Sequence, residues 1–233
     1  MDIKNFIEEL ERIGIKLEQE QLDQLEKYYE LLIEWNGKMN LTGITDKKEV
    51  YLKHFYDSLT IIKIIDINDK TLCDIGTGAG FPGLVLKIAF PKLHVTLIDS
   101  LNKRISFLKE VIKELGLKNV DVFHARAEEY AENNRNKFDI VTSRAVAPLS
   151  ILMEYSVPIL KMKGHFIPMK ANIKDELKES SNAIKILKIE LVEQQEFKLP
   201  VEESNRTLLK FEKLSSTSDK YPRKYSEIKK NPL

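Results

Sequence analysis

An α/β fold is what this sequence predicts, with a seven-stranded sheet behind a helical N-terminal extension. Three observations predict it. Residues 71–83 read T-L-C-D-I-G-T-G-A-G-F-P-G, a short apolar run followed by four glycines in eight residues. A helical pattern follows through Leu84, Val85, Leu86, Ile88 and Ala89. Second, strand and helix patterns alternate from residue 70 to residue 187, as in a parallel sheet with right-handed crossovers. Third, two strand patterns at 188–197 and 206–214 follow one another directly, and such a hairpin adds an antiparallel edge to a parallel sheet. Together they describe a Rossmann-like, doubly wound sheet.

Taken in order, Ile3, Phe6, Ile7, Leu10 and Ile13 recur at helical spacing, and Gly14 closes a helix over 3–13. A second helix over 18–35 carries Leu22, Leu25, Tyr28, Tyr29, Leu32 and Trp35, and Asn36-Gly37 is expected to stop it. Asp46 caps a third helix through Val50, Tyr51, His54 and Phe55. Asp57-Ser58 is read as a cap or kink into a fourth, over 59–65. His54 and Asp57 lie one helical turn apart, and the plainest reading is a capped helix junction with a packed histidine. Strands follow at 71–75, 93–98, 120–124, 138–142 and 164–169, with helices at 82–90, 102–115, 128–132, 148–161 and 172–187. The chain thus divides into a helical extension (1–66), a sheet domain (67–214) and a basic tail (215–233).

The net charge of the 233 residues is +1, which excludes a strongly basic protein, yet the charge is unevenly placed. Residues 1–70 hold 10 basic and 15 acidic side chains, net −5, and residues 161–233 hold 16 and 11, net +5. The C-terminal third is the expected polyanion-facing side, although lysines on solvated helix faces would look the same. A single cysteine, Cys73, permits no internal disulfide and suits a reducing compartment. The first residues are acidic and amphipathic, unlike a signal peptide, and no apolar run approaches the ~18–20 residues of a membrane span. A soluble cytoplasmic protein is expected. The four histidines are scattered, so no metal site is expected. Nothing sets an oligomeric state; a monomer is assumed.

The glycine turn carries the chemistry. It delivers a ligand to a helix N-terminus. Gly78 to Gly83 also fits G-x-G-x-x-G, so a dinucleotide is the alternative ligand. Two acids weigh against it. Asp74, before the first glycine, can hold a cationic amino acid head, directly or through water. Asp99, ending the second strand, can accept both hydroxyls of a ribose. S-adenosylmethionine has both groups and no phosphate. Asp74 with Gly76, Gly78 and Gly80 is therefore assigned to the methionine moiety and Asp99 to the ribose. Ala127 and Glu128, after the third strand, sit where adenine would lie, though Glu128 also suits a helix N-terminus. Arg144, after the fourth strand, can hold a phosphate or the acceptor edge of guanine bidentately. Lys170, ending the fifth, can reach a nucleic acid phosphate.

Absences narrow the reaction. Carbon-5 methylation of a pyrimidine needs a cysteine nucleophile, and Cys73 lies inside a strand. Amino-group methyltransferases place an Asn/Asp-Pro-Pro-aromatic turn after the fourth strand, where this chain has T-S-R-A-V-A-P. A ring nitrogen such as guanine N7 needs no proton removed, so proximity and orientation suffice and no general base is assigned.

Six stretches carry a family resemblance: W-N-x-x-M-N-L-T from Trp35, H-F-x-D-S-L from His54, D-I-G-T-G-A-G-F-P-G from Asp74, T-L-I-D-S-L-x-K-R-x-x-F-L from Thr96, S-R-A-V-A-P-L from Ser143 and Y-P-R-K from Tyr221. The chain resembles the RsmG (GidB) family of bacterial 16S ribosomal RNA guanine-N7 methyltransferases over nearly its whole length. The resemblance implies S-adenosylmethionine as donor and, as acceptor, the guanine at position 527 in the 530 loop of 16S rRNA of the small ribosomal subunit. By position it implies Gly76, Phe81, Ala127, Glu128 and Arg144 at the cofactor. It also suggests that the N-terminal helices and the basic tail grip RNA, through Arg223 and Lys224, with Tyr221 or Tyr225 stacking on an unpaired base. One departure is Met169-Lys170-Ala171, where the family often has M-K-G.

Overall fold

The structure, a computed structural model, describes residues 1–171 and 173–233. Helix α1 spans Ile3–Arg12, its N-terminus capped by the Asp2 carboxylate, which accepts from the Asn5 N–H. Helix α2 spans Gln19–Met39. It runs through Asn36-Gly37 and stops only at Asn40, in the left-handed region at φ 50°. Asn36 does not end the helix because its side-chain oxygen is used beyond it, accepting from the N–H groups of Leu41 (2.6 Å) and Thr42 (2.8 Å).

The third and fourth expected helices are one helical run: α3 (Lys47–Glu49), a π-helix (Val50–Tyr56), α4 (Asp57–Leu59) and a 3₁₀ turn (Thr60–Lys63). Asp57 neither caps nor kinks it. Its carboxylate is drawn sideways by two guanidiniums described below. A π turn inside a helical run is uncommon and concentrates at functional sites.

Seven strands follow: β1 (Thr71–Ile75), β2 (His94–Asp99), β3 (Val120–His124), β4 (Phe138–Arg144), β5 (Leu160–Lys170), β6 (Ile189–Lys198) and β7 (Asn205–Lys213). Between them lie α5 (Gly83–Ala89), α6 (Asn102–Glu114), α7 (Ala127–Asn133), α8 (Leu149–Ser156), α9 (Lys174–Glu179) and α10 (Ser181–Leu187), and α11 (Tyr225–Lys230) closes the chain. The strand order is β3-β2-β1-β4-β5-β7-β6. The first five strands are parallel, and β7 enters antiparallel between β5 and β6.

Strand β5 begins earlier than its hydrophobic pattern suggests because Leu160 pairs with Phe138 ahead of a register shift, and α8 is correspondingly short. The helix expected over 172–187 is two helices divided at Ser180, whose hydroxyl donates to the Glu176 carbonyl at 2.7 Å. Position 172, where that expectation began, lies outside the described residues.

Strand alternation sends side chains to opposite faces, and each face has its own core. Leu72, Val95, Leu97, Ile140 and Ile167 pack with α5, α6 and the N-terminal helices. Cys73, Ile75, Ile98, Val141 and Phe166 pack with α7, α8, α10 and α11. The N-terminal extension therefore shares one continuous hydrophobic cluster with the sheet.

Candidate active site

The site lies at the carboxyl ends of β1, β2 and β4, where a doubly wound sheet binds its ligand. After β1 the chain turns tightly, and Gly80 adopts φ 96°. A Cβ at Gly80 would collide with the hydroxyl of Tyr28, which donates to the Ala79 carbonyl. Tyr28 belongs to α2, and its ring lies between Phe55 (5.6 Å) and Phe81 (5.5 Å). Helix α2 thus braces the glycine loop from behind.

Asp74 is fully buried. Its Oδ2 accepts from the Thr77 hydroxyl (2.7 Å) and the Gly83 N–H (2.9 Å). Its Oδ1 is buried and has no partner in the chain. Burial pushes its carboxyl up to about 6. Asp74 holds the loop on which a ligand would lie, and the unpaired Oδ1 is an unmet demand for a donor. An amino acid ammonium acting through a water is a group of that kind, since Asp74 lines neither cavity at the loop, and in that way the residues present fit S-adenosylmethionine.

Two cavities open from this loop, and Gly76 borders both. A Cβ on Gly76 would come within 2.7 Å of a Val146 methyl, so the Val146 side chain stands at the boundary. The first cavity, about 410 Å³, is walled by Asp99, Ala127, Glu128, Ile151, Tyr155 and Tyr225. Asp99 is buried, and its carboxylate accepts from the N–H groups of Gly78 and Leu101 (both 2.9 Å) and from Arg104 (3.1 Å). A carboxylate has about four lone-pair sites, so capacity for hydroxyl donors remains. Glu128 is buried as well, which pushes its carboxyl up.

The second cavity, about 610 Å³, has a different character. Lys53, Arg104, Arg144, Lys170 and Arg206 line it against only two carboxylates, Asp57 and Glu176. Arg144 Nη1 donates to the Lys53 carbonyl (3.0 Å) and to Asp57 Oδ2 (3.1 Å). Arg206, from β7, donates through Nε to Asp57 Oδ1 at 2.9 Å. Asp57 is buried between them. His54 stacks on Phe81, ring centroids 4.4 Å apart, and its Nε2 lies 2.9 Å from the Thr42 hydroxyl. Burial, and then the adjacent Arg144, push the His54 imidazolium down to about 3, so the ring is neutral.

The structure brings together Gly76, Gly78, Asp99, Ala127, Glu128, Phe81 and Arg144 as walls of adjoining cavities. Asp74 stands behind the loop and lines neither. Lys170 lines the second cavity, but its ammonium bonds Glu176 (2.7 Å) and the Ala147 carbonyl (2.9 Å), tying the segment after β4 to α9. In the tail, Arg223 is held by Glu154 (2.7 Å) and Tyr221 is half-buried, while Lys224 is exposed. The sequence reading missed Tyr28, Arg104 and Arg206, and it read His54 and Asp57 as a packed junction. The His54–Asp57 spacing was visible, but the two arginines that hold Asp57 lie 87 and 149 residues away.

No group of three or more His, Cys, Asp or Glu side chains among the described residues is placed to hold a metal. No described helix is long and apolar enough to cross a membrane.

Fold and site together define a Rossmann-like methyltransferase that uses S-adenosylmethionine. A solved S-adenosylmethionine-dependent methyltransferase from Aquifex aeolicus superposes with a TM-score of 0.54 at 18% identity, over 72% of this chain and 94% of the other. M. jannaschii TYW2 in complex with AdoMet gives 0.55 at 17% identity, over 68% and 75%. At such identities the likeness is one of fold. The sequence comparisons go further. The model of the GidB family, rRNA small subunit methyltransferase G, matches residues 21–207. Proteins named ribosomal RNA small subunit methyltransferase G from Lysinibacillus sphaericus and Bacillus subtilis are 50% and 48% identical to it, over all of this chain and 100% and 99% of theirs. The chain belongs to the GidB family.

Proposed function

We propose that the protein transfers a methyl group from S-adenosylmethionine to N7 of a guanine in 16S rRNA, in the 530 loop of the small ribosomal subunit, and does so in the cytoplasm. The observation that carries the choice of atom is the cationic cavity beside the glycine loop, which offers guanidinium donors and no free base among the described residues, Glu176 being held by Lys170 and the Leu149 N–H. His54 is too weak a base near neutrality. The Asp57 carboxylate is engaged by two arginines. An exocyclic amine or a hydroxyl would call for a proton acceptor, whereas guanine N7 presents a lone pair and requires only alignment.

The donor supplies an electrophilic methyl carbon when bound. The chain's own residues position the two partners. The glycine loop, held by Asp74 and braced by Tyr28, carries the methionine end. Asp99 takes the ribose, and Ala127 and Glu128 take the base. Arg144, fixed by Asp57 and the Lys53 carbonyl, with its Nη2 3.4 Å from His54 Nδ1, would donate to guanine O6 alone and leave the N7 lone pair free for the methyl carbon. Lys53, Arg206 and Lys224 add positive charge for the RNA backbone.

Methyl-labelled S-adenosylmethionine would be incubated with the protein and 16S rRNA, naked or in small subunits, from cells lacking this gene. Cleavage at N7-methylguanosine would then map the label. One labelled guanine in the 530 loop is the expected result. No label on either form, with cofactor binding intact, would turn the reading toward an RNA-binding module that keeps the fold.

A further inference from the structure

The segment after β7 lies beyond the residues that the family model matches, 21–207, and from sequence it reads as an RNA grip. The structure gives it another place. The Arg223 guanidinium forms a two-pronged pair with Glu154, at 2.9 and 2.7 Å, and the Arg223 N–H donates to the same carboxylate at 2.9 Å. Glu154 is completely buried in α8. Arg135 donates to the carbonyls of Tyr221 and Thr217, both at 2.6 Å. Ile228, the one fully buried residue of α11, sits in the same hydrophobic cluster as Leu152 and Tyr155 of α8. These anchors press α11 onto the sheet domain and set Tyr225 and Lys229 in the wall of the cavity that also holds Asp99, Ala127 and Glu128. The Arg126 guanidinium lies 4.9 Å over the Tyr225 ring, so the ring is oriented before any ligand arrives. Tyr225 is nevertheless 43% exposed, which leaves ring surface uncovered.

We propose that α11 is a wall of the cofactor site and that Tyr225 is a positioning residue whose ring packs on the adenosine moiety of S-adenosylmethionine. An aromatic ring already held in place loses little freedom when it covers a planar base, so its contact strengthens binding. The inference rests on reading this cavity as the adenosine site, and the experiment separates the two.

Affinity for S-adenosylmethionine and S-adenosylhomocysteine would be measured by titration calorimetry on the full chain. The proteins are wild type, Tyr225→Ala, Tyr225→Phe and, as a marker for the cavity, Asp99→Asn. Tyr225→Ala is expected to weaken both ligands about tenfold. Tyr225→Phe should restore most of that affinity. The melting temperature of the ligand-free protein and the KM for RNA should not move with Tyr225→Ala. Unchanged cofactor affinity in Tyr225→Ala beside a weakened Asp99→Asn would overturn the role of the tail and leave the cavity assignment standing. If Asp99→Asn also binds as wild type does, the cavity is not the adenosine site and the inference falls with it. A raised KM for RNA with normal cofactor affinity would return the tail to an RNA grip.

Discussion

The two cavities that meet at Gly76 are built differently. The one around Asp99 takes its polar groups from consecutive strand ends and helix starts, β2 then α7, and adds an apolar wall from α8. The one around Arg144 draws on the N-terminal run, β4, β5 and β7, and its groups are mutually charged. The first has two carboxylates, Asp99 and Glu128, balanced by Arg126 and Lys229, and suits a ligand rich in hydrogen-bond donors with little net charge. The second has five cations for two carboxylates, suited to phosphate or to a guanine edge. The strand ends and helix starts of the first cavity are near one another in sequence and only α11 reaches it from afar, whereas the second is assembled from distant segments around the buried Asp57 carboxylate.

That division can be broken most severely at Asp57. Asp57→Asn leaves two guanidiniums facing each other without their shared charge. Methyl transfer should fall by about 100-fold or more, because small displacements of a positioning group are costly. Unfolding free energy should fall by about 3 kcal/mol in denaturant titrations. Cofactor affinity should change by less than about threefold, well under the loss of a charge-assisted bond. A large loss of cofactor affinity would show that the two cavities are one unit.

Asp99→Asn tests the other side. It weakens the bond from the Gly78 N–H and, on the proposed reading, those from ribose hydroxyls, and a charge-assisted bond is worth about 1.5–3 kcal/mol. Cofactor affinity should therefore drop about 10- to 100-fold. Binding of small-subunit RNA to the cofactor-free protein, followed by filter retention, should stay as it was.

The smallest effect is on pH dependence, and the two sides should show opposite signs. Asp74 rises from 3.8 to about 6 in the fold, so the folded state holds that proton more tightly than the unfolded chain does. Its burial costs stability above about pH 6, and the cost fades as the pH falls toward 4. Asp74→Asn should raise the stability of the ligand-free protein by about 1–3 kcal/mol at pH 7 and by little at pH 4. His54 falls from 6.5 to about 3, so it is the unfolded chain that takes up the proton. Its contribution is present above pH 6.5 and is lost as the pH drops toward 3. His54→Gln should flatten that acid limb. Equal slopes in both variants would remove the contrast between the two environments.

Legibility followed chain distance. The strand, glycine turn and helix at 71–89 could be read because each signal is contiguous, and the strand-end positions of Asp74 and Asp99 follow from the same pattern, although only Asp99 lines a cavity. Lys170 could be placed at the end of β5, but its pairing with Glu176 depends on how α9 folds back. Asp57 looked like a cap because capping is what an aspartate in a helical run does locally. Two arginines from β4 and β7 outcompete that role once the sheet brings them in. Arg223 read as a phosphate contact because its charge is visible in sequence and the buried Glu154 that holds it is not.

The sheet, its antiparallel edge, the glycine turn and the two acids at the strand ends are all legible in the sequence. These depend on local periodicity, turn chemistry and chain order, all of which a linear string contains. That Tyr28 braces the loop, that Asp57 clamps Arg144 and Arg206, and that the tail walls a cavity became visible with the packed molecule. Those facts depend on which distant side chains are desolvated together, and burial of charge is a property of the packed molecule rather than of any segment.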